Sequence, residues 1–182
     1  MYIARIKILL LSAVLCCLFL MAFTGLQEKK SFPDLEGENL LDKPVHIPND
    51  IKGKYSIIGI AYSDKAEKDL RTWLNPIYNK FVEKNSMFNY DVNLCFVPMF
   101  TGAYQATMGY AKKQLKEGTN KQFFSNIICY RGELKKYKEE LDMSEKDKPY
   151  FFVLDKEGKI IYSTSGNCTD TKLEEIESKL VE

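Results

Sequence analysis

Between Cys17 and Cys95 this chain of 182 residues has no cysteine at all. Beyond the first 25 residues only Cys95, Cys129 and Cys168 remain, and an odd number excludes a fully paired disulfide framework. At most one bridge can form, and the spacing does not choose the pair. Histidine is scarcer still: His46 is the sole copy, so a His-based metal centre or a Ser/His/Asp triad would have to be built on it. It sits in a turn-rich stretch where a surface role accounts for it, and no further N or S ligands cluster nearby. Gly-x-Ser-x-Gly, the P-loop and the dinucleotide fingerprint are absent. No basic patch with interleaved aromatics supports nucleic-acid binding. No internal repeat occurs, and no cofactor or metal is expected.

What is present is ordinary for a globular chain, with 45% hydrophobic and 28% charged residues. The net charge is +1 and falls to about −1 without the segment carrying Arg5 and Lys7. Those two residues precede an apolar run from Ile8 to Phe23 broken only by Ser12, with Ala22, Thr24 and Gly25 at its end. A positive flank followed by an apolar run marks residues 1–25 as a signal peptide or N-terminal membrane anchor. The flank predicts a body on the non-cytoplasmic side, exported and periplasmic or membrane-anchored. Leu15 before Cys16 argues against lipid attachment. Residues 26–34 read as a linker and 35–182 as one domain.

Along the domain, Leu35 to Lys54 reads as a hairpin turning at Asp42-Lys43-Pro44. YSIIGIAY (55–62) reads as a buried central strand. Leu70, Trp73, Leu74, Ile77, Tyr78, Phe81 and Val82 share one face of a helix that Ser63 or Asp64 would cap and Pro76 would kink. These aromatics are expected in the core; an exposed ring near Pro76 would instead signal a partner surface. Asp91 to Phe100 reads as a second strand. Tyr104, Met108, Ala111 and Leu115 mark a helix ended by Gly118, in which Tyr104 and Tyr110 do not share a face. Phe123 to Tyr130 suits strand or helix, and Leu134, Tyr137 and Leu141 mark a short helix. Tyr150 to Leu154 and Lys159 to Thr164 pair across an Asp155–Gly158 turn. Thr171 with Glu174 would cap the last helix.

This order is that of a thioredoxin-like α/β domain, a central mixed sheet flanked by helices, with an N-terminal hairpin extension. FPDLEGENLLDKPVHIPNDIKGK (32–54) resembles the start of membrane-anchored thiol-disulfide oxidoreductases and peroxiredoxins. PYFFVLDKEGKIIY (149–162) resembles the strand pair after their cis-proline, which makes Pro149 the candidate for that residue. Within the superfamily, Glu67, Trp73 and Pro76, then Tyr150, Asp155, Gly158, Ser165, Gly166, Glu174 and Glu175, resemble the thioredoxin-like assembly factors of mitochondrial ATP synthase. The N-terminus looks instead like a bacterial export signal.

The resemblance implies a thiolate at the start of the helix after the first core strand, where free amides and the macrodipole lower its pKa. Lys65-Ala66-Glu67-Lys68 stand where Cys-x-x-Cys belongs, and a slip of one or two residues finds no cysteine either. The copper-binding relatives' Cys-x-x-x-Cys is missing too. Cys95 and Cys129 lie in apolar runs and read as small buried hydrophobes. Cys168, in Gly166-Asn167-Cys168-Thr169, is the alternative thiol, with or without Cys129. Three functions follow. One is a redox-inactive module that binds or assembles another envelope protein through Lys65, Ala66, Glu67 and Lys68 facing Lys148 and Pro149. The second is an atypical thiol oxidoreductase or peroxidase, and the third a small-molecule binding domain.

Overall fold

The computed structural model describes residues 29–83 and 90–180. The targeting segment expected over residues 1–25 lies outside the described residues. At the centre of the sheet is β3 (Tyr55–Ala61). Its Ile57 and Ala61 enter one hydrophobic cluster while Ile58 and Ile60 enter another on the opposite face. A strand covered on both faces has no solvated side, so its residues are apolar without alternation.

The other strands are β1 (Leu35–Asn39), β2 (Pro44–Ile47), β4 (Val92–Thr101), β5 (Ile128–Gly132), β6 (Tyr150–Leu154) and β7 (Ile160–Ser165). They lie in the order β2-β1-β5-β4-β3-β6-β7. β3, β4 and β5 run parallel and the remaining neighbours antiparallel, a mixed sheet with the N-terminal hairpin at one edge. The hairpin turns at Leu40–Lys43, earlier than expected. Asn39 Oδ1 accepts the amides of Leu41 and Lys43 at 2.9 and 3.1 Å, and Asp42 takes a left-handed φ of 62°. Within the expected linker, Phe32 is buried and its amide donates to the Gly158 carbonyl at 3.0 Å, so the domain begins before Leu35.

The helices are α1 (Asp64–Thr72), α2 (Leu74–Phe81), α3 (Met108–Gly118), α4 (Lys135–Glu140) and α5 (Asp170–Leu180). α1, α2 and α5 bury Leu70, Ile77 and Ile176 against one face of the sheet, and Tyr137 of α4 covers the other. The single helix expected over 64–82 is broken at Trp73, three residues before Pro76. The proline ring crowds the carbonyl of Thr72, and in the first turn of α2 its missing amide leaves no bond unmade. Trp73 is fully buried, stacks on Phe151 with ring centroids 4.0 Å apart, and donates from Nε1 to the Gly166 carbonyl. Its ring is core.

Gly59 lets α1 and β6 approach β3 closely: a Cβ there would stand 2.6 Å from Phe151 and 2.7 Å from Leu70. The ambiguous stretch 123–130 divides into a 3-10 turn, Lys121–Phe123, and β5. The last helix is capped by Thr169, whose Oγ1 accepts the Lys172 amide at 3.3 Å. The expected Thr171–Glu174 box does not form because Thr171 already lies inside α5. Lys148–Pro149 is trans, against the expectation for Pro149; the cis bond among the described residues is Ile47–Pro48. X-Pro sequence leaves the isomer open by only ~0.5–1 kcal/mol, so context decides it.

Candidate functional site

β3 ends at Ala61, and the chain turns through Tyr62 and Ser63 into α1. Ser63 Oγ accepts the Ala66 amide at 3.1 Å, so the side chain that receives a free helix amide is Ser63, two residues before Lys65. Asp64 and Glu67 occupy the first turn, where carboxylates suit the positive end of the helix dipole. Ser63 thus stands at the helix start itself and Lys65 within its first turn. Neither position carries a thiol.

The Ser63 hydroxyl also reaches outward, to the Lys146 carbonyl at 3.0 Å and Asp147 Oδ1 at 3.2 Å. It thereby ties the segment before β6 to the helix start. Two tyrosines hold the same segment from below: their rings stack in near-parallel planes, Tyr62 donates to the Met143 carbonyl, and Tyr150 bonds both backbone groups of Glu145. Burial, with Tyr150 and nearby carboxylates behind it, pushes the Tyr62 phenol up to about 12, so it stays a donor.

A cleft of about 560 Å³ opens here at the C-terminal ends of β3 and β4. One wall is Ser63, Lys65, Glu67 and Arg71; the floor runs from Pro98 to Phe100; the far wall is Tyr104, Thr107 and Tyr110. Glu67 pairs with Arg71 along α1. Tyr104 and Tyr110 are 57% and 71% exposed, a high figure for aromatic rings on a folded domain. The far wall is held by Lys112, buried in α3 and bonded to Glu38 and Asp42 in the hairpin, with Lys116 also on Asp42.

Of the residues singled out in the sequence, Lys65 and Glu67 line the cleft. Ala66 is buried beneath it, and Lys68 is exposed outside its lining. Lys148 is exposed and pairs with Glu145 at 2.7 Å, and Pro149 is buried. Their neighbours Lys146 and Asp147 face the cleft in their place.

Tyr104 and Tyr110 correct an expectation, because both rings line one cleft. Six residues of α-helix turn about 600°, leaving them on different sides. Residues Gly102–Thr107 form a 3-10 helix instead, where each residue advances about 120° and every third one eclipses. Tyr104 and Thr107 thus eclipse, Tyr110 in the first turn of α3 follows about 60° away on the same side, and Gly102, at a left-handed φ of 55°, is the sequence signal for that tighter start.

Cys168 lies elsewhere, in a shallow groove with Asp69, Thr72 and Asn167. Burial and the Asp170 carboxylate raise its pKa, opposite to what a nucleophilic thiol needs. Burial pushes Cys129 in β5, like Cys95 in β4, up to about 12. All three are free thiols. Among the described residues no three His, Cys, Asp or Glu side chains gather to hold a metal ion, and no helix is long and apolar enough to cross a membrane.

The sheet order and the strand-to-helix turn define a thioredoxin-like fold, and solved structures agree. A protein described as a thiol:disulfide interchange protein DsbE of Chlorobium tepidum is 16% identical, with a TM-score of 0.58 over 87% of this chain and 100% of that one. BsSco, a member of the Sco family of cytochrome c oxidase assembly proteins, is 14% identical, with a TM-score of 0.56 over 85% and 95%. The exposed lipoprotein thioredoxin Etrx1 of Streptococcus pneumoniae is 19% identical, with a TM-score of 0.53 over 80% and 99%. Residues 25–180 match the ATP10 protein family, and the chain belongs to it. It is an assembly-related thioredoxin-like protein. No curated protein matches the sequence.

Proposed function

We propose that the chain is a redox-inactive thioredoxin-like protein on the non-cytoplasmic side of a membrane, which assists assembly of another envelope protein by binding an extended segment of it. One observation carries the reading. At the helix start where this fold's chemistry needs a thiolate, Ser63 and Lys65 stand instead, beside a cleft walled by two exposed tyrosines. Flat amphipathic rings at the mouth of a cleft suit a peptide, because they offer contact area with little rotamer entropy to lose. Lys65 and Lys146 at the rim add donors for carboxylates or backbone carbonyls. Membership of the ATP10 family supports the assembly role. Arg5 and Lys7 before the apolar run 8–23 support the location.

The test is crosslinking and affinity capture from membranes with the full chain, set against the Tyr104→Ala/Tyr110→Ala variant. A specific protein recovered by the parent chain is expected to fall about tenfold or more in the variant, since each aromatic anchor contributes on the order of 1–2 kcal/mol. Equal recovery by both chains, or no reproducible partner, overturns the proposal.

A further inference from the structure

We infer that the cleft receives its partner as an added β-strand, an extended segment that continues the line of β3 and pairs with the free end of β4. The inference rests on the peptide-binding reading above and deepens it by naming the edge that pairs and the sequence that fits. β4 outruns β3. Their pairing stops where Ala61 lies opposite Pro98 and the chain turns away into α1, while β4 stays paired with β5 through Met99, Phe100 and Thr101. On the other side of β3, β6 pairs with it as far as Ile60 opposite Tyr150. Beyond Ala61 the neighbours of β3 therefore bound a gap one strand wide, about 10 Å. Met99 and Phe100 line the cleft on one side of that gap, Lys146 and Asp147 on the other.

The backbone groups on the two sides of the gap differ. Along a strand these groups point to either side in turn. The Phe96 amide donates to the Asn126 carbonyl at 2.7 Å, on the β5 side, so Met99 and Thr101, at odd steps from it, direct theirs to the β3 side. Thr101 is still extended, at φ −123° and ψ 156°. No residue of β3 stands opposite, so the Met99 carbonyl and the Thr101 amide form an open sheet edge on the floor of the cleft. Across the gap the groups are already spent. The Glu145, Lys146 and Pro149 carbonyls accept bonds from Tyr150, Ser63 and Gly166, and Pro149 has no amide to offer. A strand in the gap pairs with β4.

The lining sets the side chains of that strand. Toward α1 and α3 it meets Phe100, Ala111 and Leu115, with Tyr104 and Tyr110 at the mouth, which suits an apolar residue. Of the charged groups at the rim, Glu67 is paired with Arg71 and Asp147 accepts the Ser63 hydroxyl. Asp64 lies in the first turn of α1, where the helix amides suit a carboxylate. Lys65 and Lys146 are exposed and have no carboxylate partner among the described residues. The partner is thus an extended segment with an apolar residue between acidic ones, and without proline where its amide must reach the Met99 carbonyl.

The probe is a random octapeptide library displayed on phage and panned against the full chain in detergent micelles. Selected sequences are expected to carry apolar residues at alternate positions with aspartate or glutamate beside them. One selected peptide is then synthesised with N-methyl groups on one alternate set of its amides and, separately, on the other set. Only one set faces β4, so one analogue should bind about tenfold more weakly and the other within about twofold of the parent peptide. Amide exchange at Thr101 should slow in the complex. The Lys65→Glu/Lys146→Glu variant, with its circular dichroism unchanged, should bind about fivefold more weakly, a difference that about 1 M salt removes. Basic or proline-rich selections overturn the inference. Tolerance of both methylated sets, with affinity still lost in Tyr104→Ala/Tyr110→Ala, overturns the added strand and leaves the cleft as a binding site. A peptide indifferent to both tyrosines, or a library that yields no sequence, overturns the inference together with the reading beneath it.

Discussion

Ser63 makes two separable bonds, and replacing it tests how the helix start and the segment before β6 are joined. Ser63→Ala removes the oxygen that takes the Ala66 amide at 3.1 Å and the hydroxyl that reaches Lys146 and Asp147. The lost cap costs about 1 kcal/mol, and the lost bond to the Lys146 carbonyl costs about another 1 kcal/mol. The sum, about 2 kcal/mol, lowers the melting temperature of a domain of this size by about 4–8 °C. Ser63→Thr keeps both groups and should melt with the parent. Ser63→Asp keeps the cap, yet cannot donate to the Lys146 carbonyl and meets the Asp147 carboxylate, so it should fall between. Urea denaturation followed by circular dichroism gives the stabilities. Amide exchange over residues 144–148 should speed up in the Ala and Asp variants and not in Thr. If Ser63→Ala unfolds within about 0.5 kcal/mol of the parent, the double anchoring by Ser63 is refuted.

The Lys112 and Lys116 ammonium groups hold Asp42 at about 2, below its ordinary value of 3.8. Because the folded value is the lower one, this link contributes stability that is complete above the ordinary value and is lost as pH falls toward 2. Urea midpoints across that range should drop in the parent and flatten in Asp42→Asn, which keeps the left-handed backbone accessible; an unchanged slope would refute the link. With their thiols pushed up to about 12, Cys95 and Cys129 should resist iodoacetamide in the native protein and react only on unfolding. Peptide mass spectrometry reads both. Cys168→Ser should leave insulin reduction and peroxide consumption where the parent has them; an activity lost with Cys168 would restore the thiol-enzyme reading.

Most of the strands could be read from the sequence because each is defined by its own residues. The run at 55–61 is apolar throughout, and the pair across Asp155–Gly158 is set by a turn that Asp155 Oδ1 closes on the amides of Glu157 and Lys159. The missing cysteine was equally plain, since no shift of register brings one to the helix start. The cleft was not. Its far wall depends on Gly102 starting a 3-10 helix, a local change of pitch that a 3.6-residue periodicity cannot register. Its near wall depends on Ser63 reaching a carbonyl 83 residues away, and its rim holds Lys146 and Asp147 where Lys148 and Pro149 were expected.

By itself, then, the sequence determined the order of elements, the apolar N-terminal run and the absence of a thiol at the α1 start. Each of these depends on residue type and near-neighbour spacing alone. Tertiary structure decided which residues share the cleft and which thiols are shut away from solvent. Those outcomes depend on strand order and on parallel pairing of β3, β4 and β5, which places the ends of distant segments together. Chain distance carries no record of that proximity, because the hydrogen bonds that create it form only when the sheet assembles.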